Sequence, residues 1–466
     1  MKHREAEEIS AKKEDAKEMA GGIEETSASD LSPAVTFPFL PGVYLAVNAI
    51  RDARIVIEGP DCTYMKTQYV QGNHDMMATL TSVSGWHKVV NTALYPSSVI
   101  ASREEPLRRL LEKVASHPST GGTLLTSMPM ASITGADYEG VCAEVAERTG
   151  KDVISVRGLS LRGDWLDGYA EVLRALARNL RLPEPPGQRN PRRVAMVGYL
   201  RDRNEADHEA NLLELRELLG AIGLELCSTW LDGSPMEDLR RVAEAGTILS
   251  LPYGRMAARI LARRTGAELI ELPLPLGLEA CEHWAVRLGE AFGAEKEARR
   301  YVGDHLARIG PRLEWLVPTV LQNLNVGYAG DPHMLPGIAS TIELVGARLR
   351  FALITNRVAH TRELGKLSER VPMLIRPRQA KLSRVQSEQW SKNPLHLMIA
   401  NSAGVSAVGE GTALLELGFP TIYTRAVFEK PFLGFRGTLA LIGDMVNAVR
   451  MHEVYRYRSL EQKGGE

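Results

Sequence analysis

Cysteine is scarce in this 466-residue chain, and its four cysteines do not form a metal or redox motif by themselves. Cys62, Cys142, Cys227 and Cys281 include no C-x-x-C pair, which excludes a zinc ribbon and a thioredoxin-type site. The formal net charge of -1 gives no global electrostatic case for binding nucleic acid. No apolar run reaches the roughly 18 residues of a membrane span. The charged N-terminus has no apolar signal core, so we expect a cytoplasmic protein.

Nucleotide-binding and hydrolytic motifs are also missing. Glycines follow predicted strands at Gly198 and Gly327, but neither loop reads G-x-G-x-x-G or G-x-x-x-x-G-K-[ST], and tight turns explain them. One turn keeps an alternative open. Gly409-Glu410-Gly411-Thr412 precedes a predicted helix, whose N-terminus could hold an anion. A nucleotide-sugar transferase built from two Rossmann-like domains uses a similar turn, and there Glu410 would contact the ribose.

The order of apolar runs and amphipathic stretches predicts an α/β protein. Strands alternate with helices along almost the whole chain, which is typical of parallel sheets. We expect three Rossmann-like domains, each a mostly parallel sheet flanked by helices. The predicted divisions are a disordered charged tail (1–35), an N-terminal α/β domain (36–190), a middle α/β domain (191–320) and a C-terminal α/β domain with a final helix (321–466). The linker before residue 191 is rich in proline.

Three of the predicted elements depend on short patterns. Ser98–Ser102 is predicted as a strand of the N-terminal domain. In the C-terminal domain, Thr412–Leu417 is predicted as a helix and Thr421–Thr424 as a strand.

Cys62 has the local setting in which a cysteine could do chemistry. The apolar strand Arg54–Glu58 runs directly into Gly59-Pro60-Asp61-Cys62, where glycine and proline force a sharp turn. Ligands of open α/β sheets bind beyond the carboxyl ends of the strands. A thiolate is the donor that iron–sulfur clusters need, but a cluster usually takes four protein ligands. Cys62 is therefore either structural or one ligand of a site that another chain completes. The other three cysteines are expected to be buried small side chains.

Four segments, in order and spacing, resemble the nitrogenase component 1 family, which includes nitrogenase catalytic subunits, their cofactor-assembly scaffolds, and protochlorophyllide and chlorophyllide reductases. The Cys62 turn is similar to that family's H-G-P-x-G-C, and the segment around Met128 to its T-T-C-x-P-x-x-I-G-D-D. The matching segments are Leu40–Cys62, Leu125–Asp137, Leu272–Glu279 and Gly418–Asn447.

The resemblance implies which residues would bind a cluster. The family's cluster-binding subunit supplies three cysteines, of which only Cys62 has a counterpart here. The first position falls near Pro38, which has no cysteine, and the third falls at Met128. The counterparts of the nitrogenase cofactor ligands, near Gly254–Met256 and Thr424, are neither cysteine nor histidine. The pattern is most similar to the one-cysteine subunit of chlorophyllide reductase.

Three hypotheses follow. In the first, Cys62 is the metal ligand, and Gly59, Pro60 and Thr63 shape the site of a [4Fe-4S] cluster shared with a homologous three-cysteine subunit. An ATP-dependent iron protein would deliver electrons to this reductase, and a small multiply unsaturated substrate would bind between the domains. Tyr64 and His74 could tune the cluster or relay protons. The second hypothesis is a metal-free scaffold or assembly partner, and the third is the transferase. No catalytic residue is assigned.

Overall fold

Three parallel β-sheets follow one another along the chain, with helices on their faces. The computed structural model describes residues 32–80, 87–95, 97, 103–131, 135–159, 161–187, 189–386, 394–409 and 411–464. The predicted fold class is confirmed, while the domain boundaries remain predictions. No helix in the described ranges is both long and apolar enough to span a bilayer.

The first sheet has the strand order β2-β1-β3-β4, and all its neighbouring strands are parallel. The elements of this unit are α1 (Phe39–Asn48), β1 (Ala53–Glu58), α2 (Thr63–Tyr69), β2 (Val89–Asn91), α3 (Glu104–Ala115), β3 (Gly122–Ser127), α4 (Tyr138–Thr149), β4 (Asp152–Ser155) and α5 (Trp165–Asn179). A π-helical turn, Val70–His74, extends α2.

The second and third sheets have the orders β6-β5-β7-β8 and β11-β10-β9-β12-β13. The second unit contains β5 (Arg193–Val197), α6 (Ala206–Ala221), β6 (Glu225–Thr229), α7 (Met236–Leu239), β7 (Thr247–Ser250), α8 (Arg255–Thr265), β8 (Glu268–Glu271), α9 (Leu278–Phe292) and α10 (Glu295–Leu313). The third contains β9 (Asn325–Gly330), α11 (Leu335–Leu344), β10 (Arg348–Ile354), α12 (Leu367–Arg370), β11 (Met373–Ile375), α13 (Gln379–Val385), β12 (Leu397–Ala400), β13 (Ala413–Glu416) and α14 (Gly434–Gly464).

Local sequence explains how the first unit presents its loops. Every residue of β1 and β3 is buried, as expected for strands covered by helices on both faces. Asp164 caps α5, because its Oδ1 accepts the N–H of Leu166 and Asp167, while the Asp167 carboxylate accepts the N–H of Asp164. Since the strands are parallel, their carboxyl ends lie at one edge of the sheet, where the turn after β1 lies next to the segment after β3.

Helices α1 and α5 cross at two glycines. A Cβ added to Gly42 would lie 1.7 Å from the carbonyl oxygen of Trp165, and one added to Gly168 would lie 2.1 Å from the carbonyl oxygen of Phe39. Only hydrogen at these positions lets the two backbones meet this closely. The crossing buries α1 completely and fixes the helix that underlies the Cys62 turn.

Two of the short-pattern predictions are wrong. Thr412–Leu417 is not a helix, because Ala413–Glu416 pairs with β12 as the edge strand β13. Thr421–Thr424 is not a strand, because the backbone N–H groups of Ile422, Tyr423 and Thr424 donate to the Glu416 carboxylate.

Two further predictions concern the less regular parts of the chain. The predicted strand Ser98–Ser102 and residue Glu410 lie outside the described residues. The predicted tail is outside them as far as residue 31, but its last residues are ordered. Ala34 bridges to Arg378, and the Val35 N–H donates to Pro377 at 2.9 Å.

Candidate functional site

Cys62 is exposed on the four-residue turn that connects β1 to α2. The turn begins at buried Gly59, whose N–H donates to Thr92 Oγ1 at 3.1 Å and whose carbonyl accepts the N–H of Leu94 at 2.9 Å. Asp61 and Cys62 follow, both exposed, before α2 begins at Thr63. The ends of the turn are thus fixed by hydrogen bonds, while the thiol itself is held at the surface.

Met128 packs against this turn. A Cβ on Gly59 would lie 2.7 Å from Met128 Cγ and 2.8 Å from its Sδ, so glycine is required for the side chain to fit. The N–H of Met128 donates to the Glu58 carbonyl at 2.9 Å, which extends the β1–β3 pairing by one residue. The residue at the family's third cysteine position therefore lies beside the turn that carries Cys62, although it offers a thioether.

Thr63 is buried and holds the turn in place through hydrogen bonds. Its hydroxyl donates to the Pro60 carbonyl at 3.3 Å, and its carbonyl accepts bonds from the hydroxyls of Tyr44 at 3.2 Å and Thr67 at 3.0 Å. Burial raises the pKa of Tyr44, so its hydroxyl stays protonated and donates at neutral pH. Thr63 thus positions the Cys62 turn. The Tyr64 side chain lies outside the described part of the structure.

A buried carboxylate lies at the end of β1. Glu58 is fully buried, and its Oε1 accepts a bond from Arg103 Nε at 3.1 Å. Its Oε2 has no hydrogen-bond partner among the described residues. The ion pair with Arg103 compensates the burial of one negative charge immediately before the turn.

Exposed apolar side chains lie near the Cys62 turn, beside the exposed carboxylate of Asp61. Met65, on the first turn of α2, is 78% exposed, and Tyr95, next to the residue that binds Gly59, is 55% exposed. Beyond the far end of α2, Met76 and Met77 are also exposed. Exposed apolar side chains grouped in this way are typical of a protein–protein interface.

The other cysteines are removed from solvent. Cys142, Cys227 and Cys281 are buried, and burial raises the pKa of each thiol. The Cys227 thiol donates to Val194 O at 3.2 Å and the Cys281 thiol to Pro275 O at 3.4 Å. Cys62 is thus the one cysteine in the chain whose thiol reaches the surface.

His74 lies at the other end of α2, where the three units meet. Its Nδ1 accepts the N–H of Thr421 at 2.9 Å, so its Nε2 carries the proton and donates to the Asp202 carbonyl at 2.9 Å. Its ring packs edge-on against Phe419. Twelve residues separate it from Cys62 along the helical segment, or roughly 15 Å. The structure does not bring His74 to the Cys62 turn.

Buried polar side chains form hydrogen bonds where the units meet. Asp202 binds His208, and the Tyr199 hydroxyl lies 2.7 Å from His208 Nδ1. A cavity of about 40 Å³ nearby is lined by residues of the second and third units, including Tyr253 and Thr421. That is enough for one or a few water molecules. A tetrapyrrole does not fit in this cavity.

A second cluster of potential metal ligands joins α5 to the third unit. Ligand atoms of Asp164, Asp167 and His360 lie within 4.8 Å of one another. The second oxygen of each carboxylate is already occupied, since Asp164 accepts the N–H of Arg357 at 2.7 Å and Asp167 accepts the Arg357 guanidinium at 2.8 Å. His360 Nε2 lies 3.3 Å from Asp167 and 3.5 Å from Asp164. With two cationic side chains present, the cluster is an ion-pair clamp between units.

This clamp predicts a pH-dependent stability. Burial favours neutral imidazole, but the two carboxylates outweigh it and raise the pKa of His360 to about 9, from an ordinary 6.5. The stabilisation is therefore complete below pH 6.5 and is lost as the pH rises through 9. His360→Ala should lower the free energy of unfolding by about 2 kcal/mol at pH 6, with a much smaller difference at pH 9.5. Urea denaturation at both pH values measures this.

The control for the clamp is His283→Ala, which removes an exposed histidine from α9. It should change the free energy of unfolding by less than about 0.5 kcal/mol at either pH. An equal loss for His360→Ala at pH 6 and pH 9.5 would show that the charge of His360 does not contribute.

Sequence reasoning identified part of this geometry. It placed Gly59, Pro60, Cys62 and Thr63 in one turn, and the structure agrees. It did not identify Tyr44 or Arg103, because helix α1 and the start of helix α3, which carry them, are separated from the turn in sequence.

Comparisons with known proteins agree with this geometry. The family model described as "Nitrogenase component 1 type Oxidoreductase" matches residues 40–450. The chain is 21% identical to the nitrogenase molybdenum-iron protein alpha chain of Methanothermobacter marburgensis, over 86% of this chain and 84% of that one. It is 22% identical to the nitrogenase iron-molybdenum cofactor biosynthesis protein NifN of Klebsiella pneumoniae, covering 90% and 91%. The solved structure "Nitrogenase Cp1 at pH 6.5" superimposes with a TM-score of 0.76 at 16% identity, covering 93% and 96%, and thus shares the fold.

Proposed function

Because this chain belongs to the nitrogenase component 1 type oxidoreductase family, we propose that it is one subunit of an iron–sulfur reductase. Cys62 supplies one thiolate to a [4Fe-4S] cluster that a homologous three-cysteine subunit completes. The observation that carries this proposal is the exposure of Cys62 on a fixed turn near exposed Met65 and Tyr95, while the other three thiols are buried. A solvent-facing thiolate next to a subunit interface is what a shared cluster requires.

This chain can supply one ligand of the cluster, which is the Cys62 thiolate. Four ligands are usual for such a cluster, and Cys142, Cys227 and Cys281 cannot reach the turn without unfolding. Met128 lies beside the turn but offers a weak thioether donor. The cluster, when bound, supplies one-electron chemistry. Gly59 and Pro60 give the turn its shape, and Thr63 and Tyr44 hold it in place.

A partner subunit and an electron donor are part of the same proposal. The apolar side chains of Met65 and Tyr95 would be buried against the three-cysteine subunit, which removes the site from water. Electrons would come from an ATP-dependent iron protein. An unsaturated substrate would reach the site where the two subunits meet.

A metal-free assembly partner is the second candidate. The observation that favours it is the loss of two thiolate positions, with Pro38 exposed at the start of α1 and Met128 packed against Gly59. The similarity to a cofactor biosynthesis protein is consistent with it. The transferase hypothesis loses its basis, because the turn that contains Thr412 leads into β13 instead of a helix.

Anaerobic co-expression with a homologous three-cysteine subunit tests both candidates. A stable complex that contains about four iron atoms per heterodimer is expected for the reductase. A stable complex without iron would establish the assembly partner instead. Absence of any complex would contradict both.

The contact surface can be tested in the same system. Met65→Glu should weaken the complex at least about tenfold, because it places a charge at the centre of the apolar surface. Leu344→Glu is the matched control, since Leu344 is an exposed apolar residue on α11. It should leave the affinity unchanged. Affinities can be measured by microscale thermophoresis, and equal weakening by both variants would contradict the proposed surface.

A further inference from the structure

The outer edge of β4 forms the floor of a long surface groove. Strand β4 is the last of its sheet, and among the described residues no strand pairs with its outer side. The groove encloses about 1150 Å³ between α4 and α5, and seven consecutive residues, Asp152–Gly158, line it. Strand β4 has four residues, and in extended conformation the seven lining residues would span roughly 23 Å. The groove therefore has the length of one additional strand.

The outer edge of β4 presents backbone N–H and C=O groups that can form hydrogen bonds. The N–H of Val156 donates to Leu125 of β3 at 2.7 Å. Neighbouring residues of a strand direct their N–H and C=O groups to opposite sides, so Ile154 also faces β3, and Val153 and Ser155 face the groove. No described residue bonds to the backbone N–H of Val153 or Ser155. An unpaired edge of this kind is a template for another strand.

The two walls of the groove carry opposite charges. Helix α4 and its cap contribute three carboxylates, those of Asp137, Glu139 and Glu147. The other wall has the guanidinium groups of Arg174 and Arg178 on α5, and that of Arg157 follows β4. Within this wall Asp152 binds Arg181 and Arg240, and Glu171 binds Arg174, so Arg157 and Arg178 are the arginines left to meet an incoming carboxylate.

Small side chains leave room between these walls. Ala143 and Ala146 on α4 and Ala175 on α5 line the groove. Longer side chains at these positions would reach over the edge of β4. The groove can therefore admit the side chains of an incoming strand on both faces of the sheet.

The charges disfavour a second copy of this chain as the occupant. Pairing of two β4 edges about a two-fold axis perpendicular to the sheet would place each α4 beside the other α4. Glu139 and Glu147 would then oppose the same carboxylates, and Arg174 and Arg178 would oppose the same guanidinium groups. Like charges at such a contact are repulsive. The occupant must be a different sequence.

We propose that the β4 edge binds an extended segment of another protein by strand addition. In that segment basic and acidic side chains alternate. The basic side chains face the acidic wall of α4, and the acidic side chains face the arginines of the other wall. The segment donates to and accepts from the backbone of Val153 and Ser155. This interaction does not depend on the iron–sulfur function of Cys62.

A synthetic hexapeptide tests the alternation. Acetyl-Lys-Glu-Val-Val-Lys-Glu-amide, carrying fluorescein, has lysine on one face of a strand and glutamate on the other. Fluorescence anisotropy with the full chain in 50 mM salt should give saturable binding, with a Kd below roughly 100 µM. The isomer Lys-Lys-Val-Val-Glu-Glu has the same composition but mixes charges on each face, and it should bind at least about tenfold more weakly. Equal binding of both peptides, or no saturation of the first, would overturn the proposal.

Backbone methylation separates strand addition from simple charge attraction. N-methyl groups on the residues of the first peptide that face β4 should abolish binding, while N-methyl groups on the alternate residues should leave it unchanged. Equal effects of both methylation patterns would overturn strand addition. Self-association of the unliganded chain through this edge, detected by sedimentation, would do so as well.

Variants of the chain complete the test. Ser155→Pro removes one edge N–H without removing a bond to β3, and it should abolish binding of the first peptide with the fold intact by circular dichroism. Glu139→Lys combined with Glu147→Lys should weaken binding at least about tenfold and should not alter thermal stability. Retained binding in both variants would contradict the assignment of this groove.

Discussion

Replacement of Cys62 by alanine should remove the cluster from the complex while leaving the fold unchanged. Iron should fall from about four atoms per heterodimer to fewer than one, because a cluster at the interface loses the ligand that ties it to this chain. The free energy of unfolding should change by less than about 0.5 kcal/mol, since the Cys62 side chain is exposed. Iron analysis of the purified complex measures its iron content, and urea denaturation measures its free energy of unfolding.

Cys227→Ala is the matched control for this prediction. The Cys227 thiol is buried and donates to Val194 O, so its loss should cost about 1 kcal/mol of stability and leave the iron content unchanged. The two variants should therefore have opposite effects on iron and stability. Full iron content in the Cys62→Ala complex would mean that Cys62 is not a ligand.

Replacement of Gly42 by alanine should lower the free energy of unfolding more than any other single substitution described above. The new Cβ would lie 1.7 Å from the carbonyl oxygen of Trp165 and 2.6 Å from its carbonyl carbon. Both contacts are with backbone atoms of α5, so the clash cannot be relieved by moving a side chain. Separation of α1 from α5 opens the core of the first unit, with an expected loss of more than about 3 kcal/mol.

Gly303→Ala is the control for the helix crossing. Gly303 is an exposed residue within α10, and a Cβ there meets nothing within 4 Å. Alanine should stabilise the protein by about 0.5–1 kcal/mol, because glycine is a poor helix former. Differential scanning calorimetry of the two variants should show shifts of opposite sign. A Gly42→Ala protein as stable as the wild type would show that α1 and α5 do not cross so closely.

The helix crossing also connects stability to the site. Tyr44 lies on α1 and its hydroxyl holds the Thr63 carbonyl, one residue after Cys62. If α1 moves away from α5, this hydrogen bond is lost and the turn is no longer fixed. A Gly42→Ala protein that still folds at low temperature should therefore bind less iron than the wild type.

Regular alternation of strands and helices made the three sheets predictable. A buried strand such as β1 is a continuous apolar run, and the glycine and proline after it mark its end. Together these features predicted the Cys62 turn. The bend could be predicted because Gly59 and Pro60 are local in sequence, whereas the contacts of Tyr44 and Thr92 that hold it could not.

Elements set by distant contacts were not predictable. Ala413–Glu416 is rich in leucine and glutamate, which favour helix, but pairing with β12 makes it a strand. The segment from Ile422 to Thr424 is apolar enough for a strand, yet its N–H groups bind the Glu416 carboxylate. In both places a tertiary contact outweighs the local propensity.

The remaining site contacts join residues that are far apart in the chain. His74 is close to Cys62 in sequence, but α2 and its π-helical extension carry it to the contact with Thr421. His360 meets Asp164 and Asp167 across nearly 200 positions. Such contacts leave no periodic signal in the sequence, so only the folded structure shows them.

Mössbauer spectroscopy of the ⁵⁷Fe-labelled heterodimer tests the central claim most directly. The shared-cluster account predicts one [4Fe-4S] cluster per heterodimer, present with Cys62, absent from this chain expressed alone, and absent from the Cys62→Ala complex. A complex without iron, or a cluster whose spectrum and amount are the same with and without Cys62, would contradict it.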